Sequence, residues 1–462
     1  MKLKHEFEID PLNPFGNCKL DRKKYAPALT NMLETFPDGF VMAIDNEWGT
    51  GKTTFVKMWQ ASIKKDYQTI YFNAWENDFD NDVLAALMGE LGTLKSSGTE
   101  TIFKEVVKKG AILTKNILPV LIEAITNKYI GEGVVNKVAT ELAKSSGDIM
   151  IEQVTEYTNK KKGLIEFRDS LATYIEATKG GKPVVFIIDE LDRCRPDYAV
   201  EVLEKVKHFF SVKGIVFVLS INKNELKNAI HGVYNSPNIN ADDYLRRFID
   251  IEYSIPEPDK ELFCNYLYSY YEFEDLPSSS SGINGFLDLA NILFTINNTT
   301  LRQQEKIFAY TRIVFGNLTA NLRENLNDVV FSLIYIKLLF PEFYINLREK
   351  KYGVQEMIDN IGSIIPNRYI SEIPNRYISE TNNTLSWTKC FLVHLYNHYF
   401  SGTSIPKLFS NDGSLLEISF LNTDDDKEFS TRLKYIFEDR TYNKYLDNLN
   451  TLLRKIDLVN IR

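Results

Sequence analysis

Residues 46–54 combine two glycines, a lysine and threonines in an order suited to binding the phosphates of a nucleotide. The loop comprises Asn46, Glu47, Trp48, Gly49, Thr50, Gly51, Lys52, Thr53 and Thr54, and the apolar run 40–44 precedes it. Glycines let the backbone curl so that successive N–H groups point at one phosphate, and a helix starting near Lys52 adds its positive dipole end. We expect Lys52 to contact the β and γ phosphates and the Thr53 hydroxyl to bind Mg²⁺.

The first loop residue departs from the pattern G-x-x-x-x-G-K-[ST], because Asn46 stands where the pattern has glycine. Asparagine is one of the few non-glycine residues that tolerate a positive φ, so we expect the loop to keep its shape. The alternative is a glycine-rich turn that merely precedes a helix. The preceding strand and the Gly-Lys-Thr-Thr sequence favour the phosphate loop.

A pair of carboxylates, Asp189 and Glu190, follows the apolar run 184–188. A carboxylate at the end of a buried strand is placed to hold Mg²⁺ through water, which suits Asp189. Glu190, directly after it, is placed to orient and deprotonate the attacking water. Acidic residues at a strand end are often only a solvated turn, but the upstream phosphate loop favours hydrolysis.

Asn222 follows the apolar run 214–221, where its side chain would contact either the γ-phosphate or the attacking water. It is equally suited to capping the next helix, and both interpretations stay open. Residues 222–225, Asn-Lys-Asn-Glu, resemble the guanine-reading N-K-x-D motif. GTPases, however, have glycine three residues after the metal-binding aspartate, where this chain has Asp192. The expected nucleotide is therefore ATP.

Arginines are the usual groups that stabilise charge on a transferring phosphoryl, and Arg246, Arg247 and Arg302 are candidates. Each is also compatible with a surface ion pair. Arg302 is preferred because it follows the polar stretch 297–300 and opens a predicted helix.

These residues need a sheet to position them, and the pattern of apolar runs predicts one. Strands alternate with helical segments up to Pro256, which is typical of a parallel α/β sheet; the predicted strands are 40–44, 68–74, 184–189, 214–221 and 250–255. Residues 95–165 are predicted to form a helical insertion, and residues 261–462 are predicted to be helical. The expected fold class is a P-loop NTPase sheet followed by an all-α lid and a C-terminal helical region.

The composition is that of a multidomain globular protein in the cytoplasm. The chain has 462 residues, is 44% hydrophobic, and carries a net charge of −8. This balance does not support general nucleic-acid binding, although lysines at 104–115 and 160–162 are the place to test for it. The four cysteines lack C-x-x-C spacing, and the N-terminus lacks the apolar region of a signal peptide. The most apolar window, 110–125, is too short for a membrane span, so no membrane association is expected.

Two further patterns have simpler explanations. Cys390, His394 and His398 recur every four residues on one predicted helix, but the third drifts round the helix, which disfavours a zinc site. Residues 365–372 recur immediately as 373–380, and a single tandem copy indicates a duplicated loop.

Three motifs together resemble the KAP P-loop NTPases: residues 47–53 with Trp48 before the loop glycine, residues 71–75 (Tyr-Phe-Asn-Ala-Trp), and residues 189–194 (Asp-Glu-Leu-Asp-Arg-Cys). Residues 244–248 and the helix start at 301–302 also look similar. The resemblance covers roughly residues 10–315. Three features depart from the family pattern: Asn46 replaces glycine, Glu190 stands where aspartate is usual, and the membrane helices of many relatives are missing.

The resemblance implies an ATPase of the additional-strand, catalytic-glutamate class. By analogy, Lys52 and Thr53 would bind phosphate and Mg²⁺, Asp189 and Glu190 would act on metal and water, and Arg302 would be a lid arginine. Bacterial relatives are often implicated in phage exclusion, which suggests an anti-phage role.

We therefore expect a Mg-dependent ATPase that acts as a molecular switch or motor subunit. Its expected domains are an NTPase core at 1–258, a helical lid at 259–345 and a C-terminal helical domain at 346–462. The expected partners are ATP, further copies of the chain, and a protein effector that contacts the C-terminal helices. The alternative is a nucleotide-stabilised scaffold with little turnover, and Asn46 keeps that alternative open.

Overall fold

The computed structural model describes residues 8–79, 82–95, 98–113, 149–235, 239–274, 286–320, 326–365, 378–401, 423–438 and 448–459. The chain divides into two compact units, Phe7–Glu257 and Pro258–Arg462. Most of the duplicated segment, 366–377, and most of the apolar window at 110–125 lie outside the described residues.

A five-stranded parallel sheet forms the centre of the first unit. Its strands are β1 (Val41–Asp45), β2 (Thr69–Asn73), β3 (Val184–Asp189), β4 (Ile215–Ile221) and β5 (Ile251–Tyr253). Their order is β2-β3-β4-β1-β5, so β4 lies between the strand that leads into the phosphate loop and the strand that ends in the carboxylate pair. This inserted strand is the additional strand of the expected class, and the predicted fold class is confirmed.

Helices cover both faces of this sheet. They are α1 (Ala26–Thr35), α2 (Lys52–Ile63), α3 (Val83–Leu91), α4 (Glu100–Leu113), α5 (Ile149–Thr178), α6 (Pro196–His208), α7 (Lys223–Tyr234) and α8 (Ala241–Leu245). Short 3₁₀ turns occur at Arg22–Tyr25, Gly92–Leu94 and Leu191–Arg193. Helix α8 ends at Leu245, and residues 246–248 form turns.

The central strands are buried on both sides, which explains their unbroken apolar sequence. In β3, Phe186 and Ile188 belong to the core shared with α3 to α8, whereas Val185 and Ile187 belong to the core shared with α1 and α2. This alternation follows the two-residue period of a strand. It places Asp189, the next residue in the series, on the α2 face of the sheet.

The second unit is helical throughout its described residues. Its helices are α9 (Lys260–Tyr270), α10 (Leu287–Ile296), α11 (Leu301–Gly316), α12 (Asn327–Leu339), α13 (Pro341–Arg348), α14 (Val354–Ile364), α15 (Ile378–Ser401), α16 (Thr423–Glu438) and α17 (Asn448–Asp457). One apolar cluster extends from Cys264 to Ile456 and includes the tyrosine-rich stripe around Tyr268 and Tyr271. Among the described residues, no helix combines the length and the apolar character needed to cross a membrane.

The cysteine and histidines of the disfavoured zinc pattern all lie on α15. The thiol of Cys390 is 3.7 Å from the carbonyl oxygen of Phe429, and His394 is buried. Burial, with the neighbouring His398, lowers the pKa of His394 to about 4.

Acid is expected to destabilise the helical unit through His394. Above pH 6.5 the imidazole is neutral in both states, whereas between pH 6.5 and 4 the unfolded chain binds a proton that the folded chain excludes. The free energy of unfolding should fall over this window by up to about 3 kcal/mol from this group. Denaturant titrations at pH 7 and pH 4.5 should show a smaller loss in His394→Gln, and the wild-type loss in the exposed control His208→Gln. An equal loss in all three proteins would contradict this assignment.

Candidate nucleotide-binding site

The loop between β1 and α2 has the curled backbone that phosphate binding requires. Gly49 and Gly51 have φ of 79° and 81°, a region that glycine adopts without steric cost. Gly51 is the N-cap of α2, and the Thr50 hydroxyl donates to the Glu47 carbonyl at 2.9 Å. The first N–H groups of α2 therefore lie beside the curled loop.

Lys52 is buried within this loop. Its ammonium donates to the Asn46 carbonyl at 2.8 Å. Burial lowers the pKa of Lys52, while the carboxylates of Asp192, Asp189 and Asp45 oppose that shift. Lys52 therefore interacts electrostatically with carboxylates at the ends of β1 and β3 and in the turn after β3.

Asn46 is accommodated differently from the sequence-based expectation. Among the described residues, positive φ in this loop occurs at the two glycines and not at Asn46. Its side chain instead forms a two-point contact with the backbone of Ile255: Nδ2 donates to the carbonyl at 2.7 Å, and Oδ1 accepts from the N–H at 2.9 Å. The argument from positive φ was wrong, and the reason for asparagine is this link to the segment after β5.

The carboxylate of Asp189 is buried and held at both oxygens. The Tyr71 hydroxyl donates to Oδ2 at 2.7 Å, and the N–H of Glu190 donates to Oδ1 at 2.9 Å. Burial, followed by the charge of Asp189, raises the pKa of Tyr71, so its hydroxyl remains a donor. The strand register also places Asp189 beside Asn73 of β2 and Ser220 of β4.

Glu190 has a strained backbone and an engaged side chain. Its φ of 61° lies in the left-handed region, which is uncommon outside glycine and clusters at functional sites. One carboxylate oxygen pairs with Arg193 at 2.9 Å, and the other lies 3.5 Å from the amide nitrogen of Asn73. The predicted role of Glu190 on the attacking water stays a prediction, and it would require this carboxylate to exchange these partners for a water molecule.

Two exposed tryptophans lie at the rim of the site. Trp48, which is 42% exposed, donates from Nε1 to the carboxylate of Asp192. Trp75 is 54% exposed, and the guanidinium of Arg193 lies 5.8 Å from its ring centroid. The Trp48 contact joins the phosphate loop to the turn that follows β3, and the Trp75 contact joins the segment after β2 to the same turn.

The remaining predicted residues take up different positions. Thr53 and Thr54 are half-buried in the first turn of α2, and Glu47 is exposed. The Asn222 side chain accepts from the N–H of Asn224 at 3.1 Å and caps α7, as one of the two interpretations expects. Its proposed contact with nucleotide stays a prediction.

The three candidate arginines are divided between the two units: two lie in the first unit and one in the second. Arg246 pairs with Asp243 at 2.9 Å, and Arg247 is exposed. Arg302 is exposed on the first turn of α11, in the helical unit. Its part in completing the site stays a prediction.

Two polar residues beside Asp189 were not singled out from the sequence. Tyr71 is a phenol in a strand of alternating burial, and its position in the family-like motif was the available signal. Ser220 is the one polar residue in the apolar sequence of β4, and within the described residues its buried hydroxyl has no hydrogen-bond partner. Tyr71 contacts Asp189 from β2, and Ser220 lies opposite Asp189 in the register of β3 and β4.

A cavity of about 210 Å³ lies at the amino ends of the strands, on the side of the sheet opposite the strand ends that carry the candidate site. It is lined by residues at the amino ends of β1 and β4, including Asp38, Phe40 and Lys213. Ligands of open parallel sheets bind at the carboxyl ends of the strands. This cavity is therefore separate from the candidate site.

Two solved structures show distant likeness to the chain. The crystal structure of a DNA replication initiation factor is 11% identical, with a TM-score of 0.30, and the match covers 98% of this chain and 100% of that chain. The Aeropyrum pernix ORC2 protein, solved in ADPNP–ADP complexes, is 13% identical, with a TM-score of 0.31, covering 91% and 95%. A comparison with curated protein sequences finds no match.

The family comparison gives a direct result. A model described as the KAP family P-loop domain matches residues 22–328. That span includes the phosphate loop, the carboxylate pair, Asn222 and Arg302, and it confirms the family resemblance seen in the sequence. The chain belongs to the KAP family of P-loop NTPase domains.

Proposed function

We propose that this protein is a Mg-dependent ATPase that works as a molecular switch or motor subunit. The observation that carries the proposal is that Lys52 and Asp189 act on one another at the carboxyl ends of the parallel strands, with Glu190 bonded to Asp189 directly after it. Lys52 would bind phosphate, Asp189 would hold the metal, and Glu190 would activate the attacking water. The choice of ATP over GTP rests on Asp192, as argued from the sequence.

In this proposal the residues act in a definite order. Lys52 exchanges the Asn46 carbonyl for the β and γ phosphates, and the loop N–H groups bind the phosphate oxygens. Glu190 leaves Arg193 and accepts a proton from water as the water oxygen bonds to the γ-phosphorus. The bond from that phosphorus to the β–γ bridging oxygen breaks, and ADP and phosphate result.

The residues present fit Mg²⁺. Thr53 offers a hydroxyl and Asp189 a carboxylate, both hard oxygen donors of the kind that Mg²⁺ prefers, and phosphate oxygens and waters would supply the remaining ligands. Within the described ranges, no group of three or more His, Cys, Asp and Glu residues is placed to hold a metal by itself. When bound, Mg²⁺ would neutralise charge on the phosphates.

The biological part of the proposal rests on analogy with the family. It places the protein in the bacterial cytoplasm, in anti-phage defence, as a homo-oligomer. Arg302 of one copy or of a neighbour would stabilise the transferring phosphoryl. Residues 259–345 would act as a lid, and residues 346–462 would transmit the nucleotide state to an effector.

A nucleotide-stabilised scaffold is the second candidate. The ion pair of 2.9 Å between Glu190 and Arg193 favours it, because the engaged carboxylate cannot accept a proton from water. In a scaffold this pair would persist when ATP is bound, and the nucleotide would only hold an assembly together.

Steady-state hydrolysis of ATP by the full chain separates the two candidates. The switch predicts turnover that disappears on chelation of Mg²⁺ with EDTA, returns on its addition, and accompanies a nucleotide-dependent change in particle mass. GTP should be the poorer substrate. Retention of ATP without turnover, at any Mg²⁺ concentration, would reject the switch and favour the scaffold.

A further inference from the structure

A buried arginine lies in the segment that precedes α1 and takes no part in the chemistry described above. Arg22 begins the 3₁₀ turn before α1 and is 2% exposed. Within the part of the chain that the structure describes, its three guanidinium nitrogens have no hydrogen-bond partner. Burial lowers the pKa of Arg22, and the nearby Cys18, Glu257 and Tyr25 only partly oppose that shift.

A buried guanidinium without hydrogen-bond partners lowers the stability of the fold. Arginine stays charged in proteins, and its guanidinium carries five N–H donors in a planar fork. A buried charge is tolerated when it is paired and hydrogen-bonded, and here these donors are unused. A residue that destabilises the fold and remains in place is best explained by a ligand that it contacts.

The sheet order indicates which part of a nucleotide would reach Arg22. Asp189 and Glu190 lie at the end of β3, which is on the β4 side of β1. A γ-phosphate that meets these carboxylates points towards that side. The nucleoside end of the same molecule then extends towards the opposite side of β1, where β5 lies.

Arg22 belongs to that opposite side. The preceding Phe15 ring lies 6.2 Å from the ring of Phe55, which is in the first turns of α2. Phe15 and Phe55 share a buried cluster with Ile255, the residue that Asn46 binds after β5. The nearest carboxylate acting on Arg22, that of Glu257, lies two residues beyond Ile255.

We propose that Arg22 binds the nucleoside part of the nucleotide, donating hydrogen bonds to acceptors of the purine ring or ribose. This inference rests on the proposed function, because it takes the loop at 46–54 as the phosphate site. Arg22 is 2% exposed, so contact requires a shift of the chain around it, and residues 10–21 are the segment that precedes it. These residues form turns and an isolated bridge, and no helix or longer strand holds them in place.

The test compares ATP with inorganic tripolyphosphate, which has the phosphates but lacks the nucleoside. Binding of each, with Mg²⁺, is measured by calorimetry on the full chain. Arg22→Met should weaken ATP binding about tenfold or more, since hydrogen bonds to charged groups are lost, and should leave tripolyphosphate binding within about twofold. Arg22→Lys, which keeps the charge without the fork, should lose less ATP affinity.

A thermal readout distinguishes a binding role from a structural one. Arg22→Met removes an unpaired buried charge at similar volume, so the melting temperature of the nucleotide-free protein should rise. The matched control is Lys24→Met. Lys24 lies two residues away, and its exposed side chain pairs with Asp21. This substitution should change neither ATP affinity nor the melting temperature.

Several outcomes would overturn the inference. Equal weakening of ATP and tripolyphosphate in Arg22→Met, or unchanged ATP binding, would do so. If the methionine variant fails to fold, Arg22→Lys decides, because unchanged ATP affinity in it rejects the fork as a nucleoside ligand. If the wild-type protein binds tripolyphosphate as tightly as ATP, the nucleoside role of Arg22 is rejected and the phosphate site is still supported. Failure of wild type to bind either ligand rejects the proposed function as well.

Discussion

Glu190→Gln is expected to lower steady-state ATP turnover by at least about 100-fold, the usual contribution of a positioned general base. Glutamine has nearly the same shape and keeps two polar atoms near Arg193 and Asn73. It cannot accept the proton of the attacking water. ATP should therefore bind and remain bound, because the phosphate loop and Lys52 are unchanged.

Turnover and nucleotide retention should be measured on the same preparation. Phosphate release gives the turnover, and the nucleotide that elutes with the protein after gel filtration gives the retention. The switch proposal adds that Glu190→Gln should hold the assembly in its ATP-bound mass. Glu76→Gln, an exposed carboxylate in the loop after β2, is the control and should hydrolyse ATP at the wild-type rate.

The backbone at position 190 explains why glutamine is the informative substitution. Glu190 holds φ at 61°, and this conformation directs the chain from β3 into the turn 191–193. Glutamine has a similar backbone preference, so the ends of β3 and of the turn should not move. A Glu190→Gln protein with wild-type turnover would show that another group accepts the proton, and the assignment of Glu190 would fail.

The sequence predicted those features that arise from local pattern. The phosphate loop and the carboxylate pair each lie at the end of an apolar strand, and short segments are enough to recognise them. The parallel sheet followed from alternating strands and helices. The strand order could be anticipated only from family resemblance, because no local signal states which strands are neighbours.

What the sequence could not predict depends on contacts between distant residues. Asn46 binds the backbone of Ile255, 209 positions away, and Tyr71 donates to Asp189, 118 positions away. The sequence-based explanation of Asn46 was its tolerance of a positive φ, and this explanation was wrong. The burial of Arg22 could not be predicted either, because the neighbouring sequence reads as an ordinary helix start and carries no sign that a charged residue is buried there.

The contacts found around the carboxylates also give the switch proposal a physical basis. Glu190 pairs with Arg193, which lies over the Trp75 ring, while Asp192 in the same turn holds Trp48 of the phosphate loop. In the switch proposal, nucleotide that moves the loop would act on the turn 191–193 and on the partner of Glu190. Release of Glu190 and occupation of the loop would then be linked events, which is what a switch requires.

Lys52→Ala is expected to weaken ATP binding by at least about 100-fold, because the phosphates lose a charge-assisted partner inside a buried site. Turnover should be lost with it. Lys64→Ala, an exposed lysine directly after the C-terminal end of the same helix, is the matched control and should bind ATP as wild type does. Calorimetry with Mg-ATP gives the affinities, and circular dichroism confirms that both variants are folded.

The environment of Lys52 makes a second readout available. Burial lowers the pKa of its ammonium below the ordinary value of 10.5, so the charge is lost at a lower pH than in an exposed lysine. ATP affinity should therefore fall as the pH rises through that lowered pKa. Lys52→Ala has no ammonium to lose, and its weak affinity should lack this alkaline dependence. Tight ATP binding by Lys52→Ala would contradict the phosphate assignment, because the loop N–H groups alone would then account for the site.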